Sequence, residues 1–173
     1  MTYTPVLEVD VYAAARSFVT CTFQANRTPS VNGIIPFANV QRRKGGTNIS
    51  INGTGGLTLG EGSWYYLEGA VQFELSTYPP TSATLSVTQW HNGTEYVGSY
   101  GQSRPQTLDP PDGASSIGDE KAITLIDATQ GAVNIWFRCV SHNGIARYNS
   151  TAHSTYVYTG LSRAVVIELA PPS

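Results

Sequence analysis

The sequence predicts an all-β protein, a two-sheet antiparallel sandwich, and three observations carry that reading. First, GEGSWYYLEGAVQFELS (residues 60–76) alternates strictly. Tyr65, Leu67, Gly69, Val71, Phe73 and Leu75 fall on one parity, and Trp64, Tyr66, Glu68, Ala70, Gln72 and Glu74 on the other. A period of two marks a strand with one face in a core. Second, Asn92-Gly93 stands between two alternating runs, ATLSVTQW (83–90) and EYVGSYGQS (95–103), which is a strong hairpin signal. Third, no segment carries a helical period, while about ten short strand-like runs follow one another at near-regular spacing, as in sandwiches.

Taken in order, residues 1–16 alternate weakly and read as an edge strand or an extended arm. SFVTCTFQ (17–24) and GIIPFANV (33–40) read as strands, Pro36 implying an edge or a bulge. RRKGG (42–46) reads as a loop, and TNISI (47–51) and GLTL (56–59) as short strands among glycines. Residues 60–76 form the longest strand, about a dozen residues by its unbroken alternation. After the hairpin, RPQTLDPPDGASSIGDE (104–120) reads as a proline-rich loop. KAITLIDA (121–128), AVNIWFRCV (132–140) and RAVVIELA (163–170) are strands, with an irregular stretch at 141–160.

The totals narrow the function classes. A chain of 173 residues suits one domain with a sizeable core. Charged residues make up 13% and the net charge is −2, so the sequence predicts no nucleic-acid partner. No window is apolar enough to span a membrane, and none is expected as a partner. The first residues lack the basic start and apolar run of a secretory leader. Cys21 and Cys139 both fall on the apolar parity of their strands and read as buried free thiols rather than a disulfide. The Asn-x-Ser/Thr triplets read as chance in a chain rich in those residues.

No catalytic constellation stands out. His91 and His142 precede Asn-Gly and read as turn tips; His153 lies in the irregular stretch. No Gly-x-Ser-x-Gly elbow, phosphate loop or dinucleotide fingerprint occurs. Glu68 and Glu74, on one face of one strand, would stand about 20 Å apart. That exceeds the roughly 5–9.5 Å of a glycosidase pair. Asp109, Asp112, Asp119 and Glu120 read as solvated turn residues, with calcium the less favoured alternative. The expectation is therefore a protein that is not an enzyme, with no metal and no cofactor.

The order of elements resembles the tumour necrosis factor-like and complement globular-head-like jelly roll. A strand ending in FANV leads through a Gly-Gly turn to GGLTLGEGSWYYLEGAVQF. A hairpin, two antiparallel strands and a final apolar strand follow. The resemblance covers roughly residues 17–170, with a final loop (141–160) longer than is usual there. The same module recurs in bacteriophage capsid decoration, head-fibre and tail-fibre proteins, which are similarly poor in charge.

This resemblance implies a homotrimer whose Gly-x-Tyr-Tyr strand packs around the threefold axis. It places Trp64, Tyr66 and Ala70 against neighbouring subunits, joined by Phe18, Ala164 and Val166. The alternative cover for the rings is the chain's own arm, residues 1–12. Two units are expected: the arm, 1–16, and a jelly roll, 17–173. The function implied is a non-enzymatic virion structural protein, a capsid decoration (cement) or head-fibre protein assembled in the host bacterial cytoplasm. Its partners would be itself and a major capsid or other virion protein, with Arg42, Arg43 and Lys44 docking on an acidic surface. The alternative function is a fibre tip that binds host surface glycans through Trp90, Trp136, Arg138 and the loops at 104–120 and 141–160. A secreted cytokine-like ligand is disfavoured on the missing leader.

Overall fold

The alternation of residues 60–76 is realised in the strand Trp64–Ala70. Tyr65 and Leu67 are fully buried, whereas Trp64, Tyr66, Glu68 and Ala70 are only half covered. The structure, a computed structural model, describes residues 15–24, 29–46, 48–71, 73–75, 86–106, 115–142, 146–148 and 163–170. The expected arm lies outside the described residues up to position 14, and Ala15 and Arg16 belong to the first strand.

Thirteen strands run through the described residues, which contain no helix. They are β1 (Ala15–Phe23), β2 (Phe37–Lys44), β3 (Ile49–Ile51), β4 (Leu57–Leu59), β5 (Trp64–Ala70), β6 (Phe73–Leu75) and β7 (Ser86–His91). The rest are β8 (Tyr96–Gln106), β9 (Ser115–Glu120), β10 (Ala122–Asp127), β11 (Val133–His142), β12 (Ala146–Tyr148) and β13 (Arg163–Leu169). A five-stranded sheet has the order β10-β5-β13-β1-β2, and an eight-stranded sheet the order β12-β6-β9-β8-β7-β11-β4-β3. Every strand pair is antiparallel. This is the two-sheet jelly-roll sandwich the sequence predicts.

Between the sheets lies an aromatic centre. Phe23 stacks on Phe37 at 4.7 Å, Phe37 lies 6.1 Å from Trp90, and Trp90 meets Phe137 edge-on at 4.9 Å. Burying each such ring is worth about 1.5–3 kcal/mol, with about 0.5–1.5 kcal/mol more per well-placed pair. Gly69 admits Phe137: a Cβ there would stand 2.6 Å from the ring. Cys21 and Cys139 are buried free thiols in this core, as expected. At the hairpin, Asn92 Oδ1 accepts from the Thr94 and Glu95 amides, and Gly93 takes a φ of 99°.

Several boundaries differ from the sequence reading. The expected dozen-residue strand breaks after Ala70, and β6 belongs to the other sheet. An extended chain crossing between sheets keeps its period of two, so the pattern runs through the crossing unmarked. Glu68 and Glu74 thus sit in different sheets. Residues 33–40 divide at Pro36: Ile34 bridges to Arg138 of β11, and β2 begins at Phe37. Arg42, Arg43 and Lys44 lie in β2 rather than a loop, because β1 extends far enough to pair with them. Both ends of the proline-rich stretch are strands; Pro105 pairs with Ser116 of β9, beyond the last described pair of β8 with β7. Asp109, Asp112 and the remainder of that loop, with His153 and most of 141–160, lie outside the described residues, as do the side chains of Asp119 and Glu120.

Candidate interaction faces

The outer face of the five-stranded sheet is assembled by register. One row across it reads Leu125, Tyr66, Ile167, Phe18, Lys44. The next reads Ile123, Glu68, Val165, Thr20, Arg42, and the row beyond the first reads Asp127, Trp64, Leu169, Ala15. Apolar side chains therefore adjoin across four strands, β10, β5, β13 and β1. At the β10 flank they stand open to solvent, with Leu125 52% and Ile123 38% exposed. Contiguous apolar surface of this kind marks an interaction site.

Glu68, on this face, is partnered. Glu68 accepts an ion pair from Lys121 at 2.6 Å and a hydrogen bond from the Tyr66 hydroxyl at 3.4 Å. Burial and the Glu68 carboxylate hold the Tyr66 phenol above its ordinary value. The basic run is at the opposite flank, where the Arg43 guanidinium donates to the carbonyls of Gly46 and Ile49 and Lys44 is exposed. The Arg42 side chain lies outside the described residues.

Trp64, Tyr66, Ala70 and Phe18 stand on this outer face as expected. Ala164 and Val166 do not: both are fully buried in the core, and the outward residues of β13 are Arg163, Val165, Ile167 and Leu169. Glu168 is the cause. Although it is the charged member of VVIELA, where charge ordinarily marks the wet parity, it is 2% exposed and points inward. Its carboxylate accepts from Ser17 Oγ (2.5 Å), Ser63 Oγ (2.8 Å) and Asn48 Nδ2 (2.8 Å). A buried carboxylate is tolerated when donors converge on it in this way. Ser17 and Ser63 each precede a ring of the outer face, Phe18 and Trp64, so this network fixes three central strands of that face at one end.

A second surface lies on the outside of the eight-stranded sheet. Trp136, His91 and Tyr96 stand directly opposite one another across β11, β7 and β8. His91 and Tyr96 meet edge-on at 4.9 Å. The Trp136 indole donates to Thr54 Oγ1 at 3.0 Å and lies between Gly56 and Gly93, where a Cβ would come within 2.6 Å and 3.3 Å of its atoms. Two turns hold the ring. The described part of residues 141–160 that forms a strand, β12, pairs with β6 at the far edge of the sheet. Arg138 follows on the same face and donates to the Asn32 carbonyl at 3.4 Å.

Trp90 does not belong to this surface. It is fully buried, opposite Phe137 and Val97, and its indole donates to the Ala122 carbonyl at 3.0 Å. Leu85 and Val87 suggest the opposite parity for this run, but the larger indole takes the core position. The sequence reading also missed Ile123, Leu125, Val165, Ile167 and Leu169 on the first face, and His91 and Tyr96 on the second. The latter pair was accessible from the Asn-Gly turn, since a short hairpin loop sets its flanking residues opposite each other.

Among the described residues, no group of three or more His, Cys, Asp or Glu side chains is placed to hold a metal ion. An open groove of about 310 Å³, lined by Gln24, Ile34, Pro36, Gly53, Thr54 and Gly55, is polar and shallow.

No protein-family model matches the sequence, and no curated protein matches it. Among solved structures the chain is similar to the crystal structure of murine APRIL, a tumour necrosis factor-family jelly roll. The TM-score is 0.52 at 11% identity, over 88% of this chain and 98% of that one. The likeness is one of fold.

Proposed function

We propose that this chain is a non-enzymatic virion structural protein, a homotrimeric jelly roll that decorates a bacteriophage capsid or forms a head fibre. The observation that carries the proposal is the apolar outer face of the five-stranded sheet, running from Leu125 through Tyr66 and Ile167 to Phe18. Two further copies of the chain cover it around a threefold axis. Each ring removed from water contributes about 1.5–3 kcal/mol, and three copies of the patch offset the entropy lost on association. The tumour necrosis factor-like fold and the sparse charge of the sequence support the reading.

In this role the work is mechanical. Trimers at threefold positions of a shell bury apolar surface across subunit borders, while the arm preceding β1, residues 1–14, adds hydrogen bonds at sheet edges of shell proteins. Arg43 and Lys44, exposed on β2, face an acidic partner surface such as a major capsid protein. Electron cryo-imaging of phage particles incubated with the purified chain tests this. Threefold density on the shell, lost when residues 1–12 are deleted, is the expected result; bare particles would contradict it. A second reading, recognition of host surface glycans, is favoured by the row Trp136, His91, Tyr96.

A further inference from the structure

We propose that the outer face of the eight-stranded sheet is a saccharide site, with Trp136 as its stacking plane and Arg138 as the anchor for a carboxylate on the sugar. This rests on the glycan-recognition reading and is independent of the trimer, since the two faces belong to different sheets.

The surroundings of the aromatic row decide the class of ligand. Thr58 and Asn134 bond to each other on one side at 2.7 Å, and Gln89, Arg138, Asn32 and Thr54 surround the rest. An apolar protein partner pressed on this surface would strand those polar groups, at a cost. A saccharide does not: its C–H face packs on an aromatic ring while its hydroxyl rim bonds to amides and guanidinium groups.

The surface is also preorganised. The Trp136 N–H is committed to Thr54, which fixes the half-buried ring in place. The Gln89 amide nitrogen donates to the Gly98 carbonyl at 2.8 Å, which leaves its oxygen to accept. The Tyr96 hydroxyl donates to Asn32 Oδ1 at 2.9 Å, which turns the Asn32 amide nitrogen to donate. Asn32 is held there at a φ of 60°, a left-handed conformation that Asn tolerates.

Charge selects a carboxylate. Among the described residues no Asp or Glu oxygen lies within 4.0 Å of Arg138, so its charge is uncompensated there, although its Nε is itself shielded from solvent. A guanidinium pairs best with a planar carboxylate, through two parallel bonds. His91, one strand away, reports on the same charge: burial and the Arg138 guanidinium hold its imidazole below the ordinary value.

The test is calorimetric titration of the full chain with sialyllactose and a galacturonate trimer, with lactose as the neutral control. Binding of an acidic probe over lactose is expected. Trp136→Ala should weaken it about ten-fold or more. Arg138→Gln should abolish the preference for the acidic probe while leaving the thermal midpoint near that of the parent, so a folding defect in the first variant does not decide the matter. Bound probe should also raise the His91 titration midpoint, read by NMR. Equal affinity for lactose, no binding at all, or binding unchanged in both variants would each overturn the proposal. A Leu125→Arg chain that has lost its oligomeric state but still binds the probe would separate this site from the trimer.

Discussion

Tyr66 and Ile167 lie directly opposite each other at the centre of the five-stranded sheet, both on its outer side. Ile167 is already 6% exposed within one chain, while the flanking Leu125 is 52% exposed. The face is thus closed at its middle and open at its β10 flank, where a neighbouring copy gains most by covering it.

That gradient makes Leu125 the most informative position. Because it is exposed in a single chain, Leu125→Arg should change the stability of the isolated fold by no more than about 0.5 kcal/mol. In an assembly it would bury a charge, which is costly without a partner. Expected is a folded protein by circular dichroism that sediments as one chain. An unchanged assembly would place the contact elsewhere.

The Glu168 network makes stability depend on acid. Burial disfavours the charged form of this carboxylate, but the hydrogen bonds from Ser17, Asn48 and Ser63 and the nearby Arg16 outweigh it and hold the group below its ordinary value of 4.5. A group depressed on folding contributes stability that is fully present above the unfolded value and is lost as pH falls through the folded one. Denaturation of the parent should therefore steepen below pH 4.5. Glu168→Gln should cost about 1.5–3 kcal/mol at pH 7 and flatten that dependence. Identical curves for parent and variant would remove the network's role.

The core around Trp90 and the outer face around Trp136 should respond oppositely to substitution. Trp90→Ala empties the aromatic centre and should destabilise by about 3–5 kcal/mol. Arg138→Gln and other changes on the outer face beside Trp136 should leave the urea midpoint nearly unmoved. Similar losses at both places would mean that the outer surface is structural.

Burial alone pushes the Cys139 thiol up to about 11, and burial pushes Cys21 to about 11 although Arg43 opposes it. The thiolate is the reactive form. At pH 8 the native chain should release no colour from an aromatic disulfide reagent, and the unfolded chain should react at both cysteines. Prompt reaction of the native protein would show that the sheets open.

Where the alternation is clean the sequence was legible. Tyr65 and Leu67 face inward and Trp64 and Tyr66 outward, as the pattern requires, and the Asn-Gly turn joins β7 to β8. Legibility failed where a polar residue is buried or both parities are apolar. Glu168 inverted the reading of β13 and with it Ala164 and Val166, while Val87 outvoted Trp90. In both runs the deciding information is across the sheet: donors from β1, the β5 entry and the start of β3 for Glu168, and Phe137 for Trp90. The break after Ala70 was invisible for a related reason, since crossing between sheets costs the chain no change of period.

What covers Leu125, Tyr66 and Phe18 decides whether the chain assembles as a trimer, and the mass of the purified chain in solution reads this directly. Sedimentation equilibrium of the parent protein should give three times 18.6 kDa. A mass of 18.6 kDa, held across the concentration range, would contradict it.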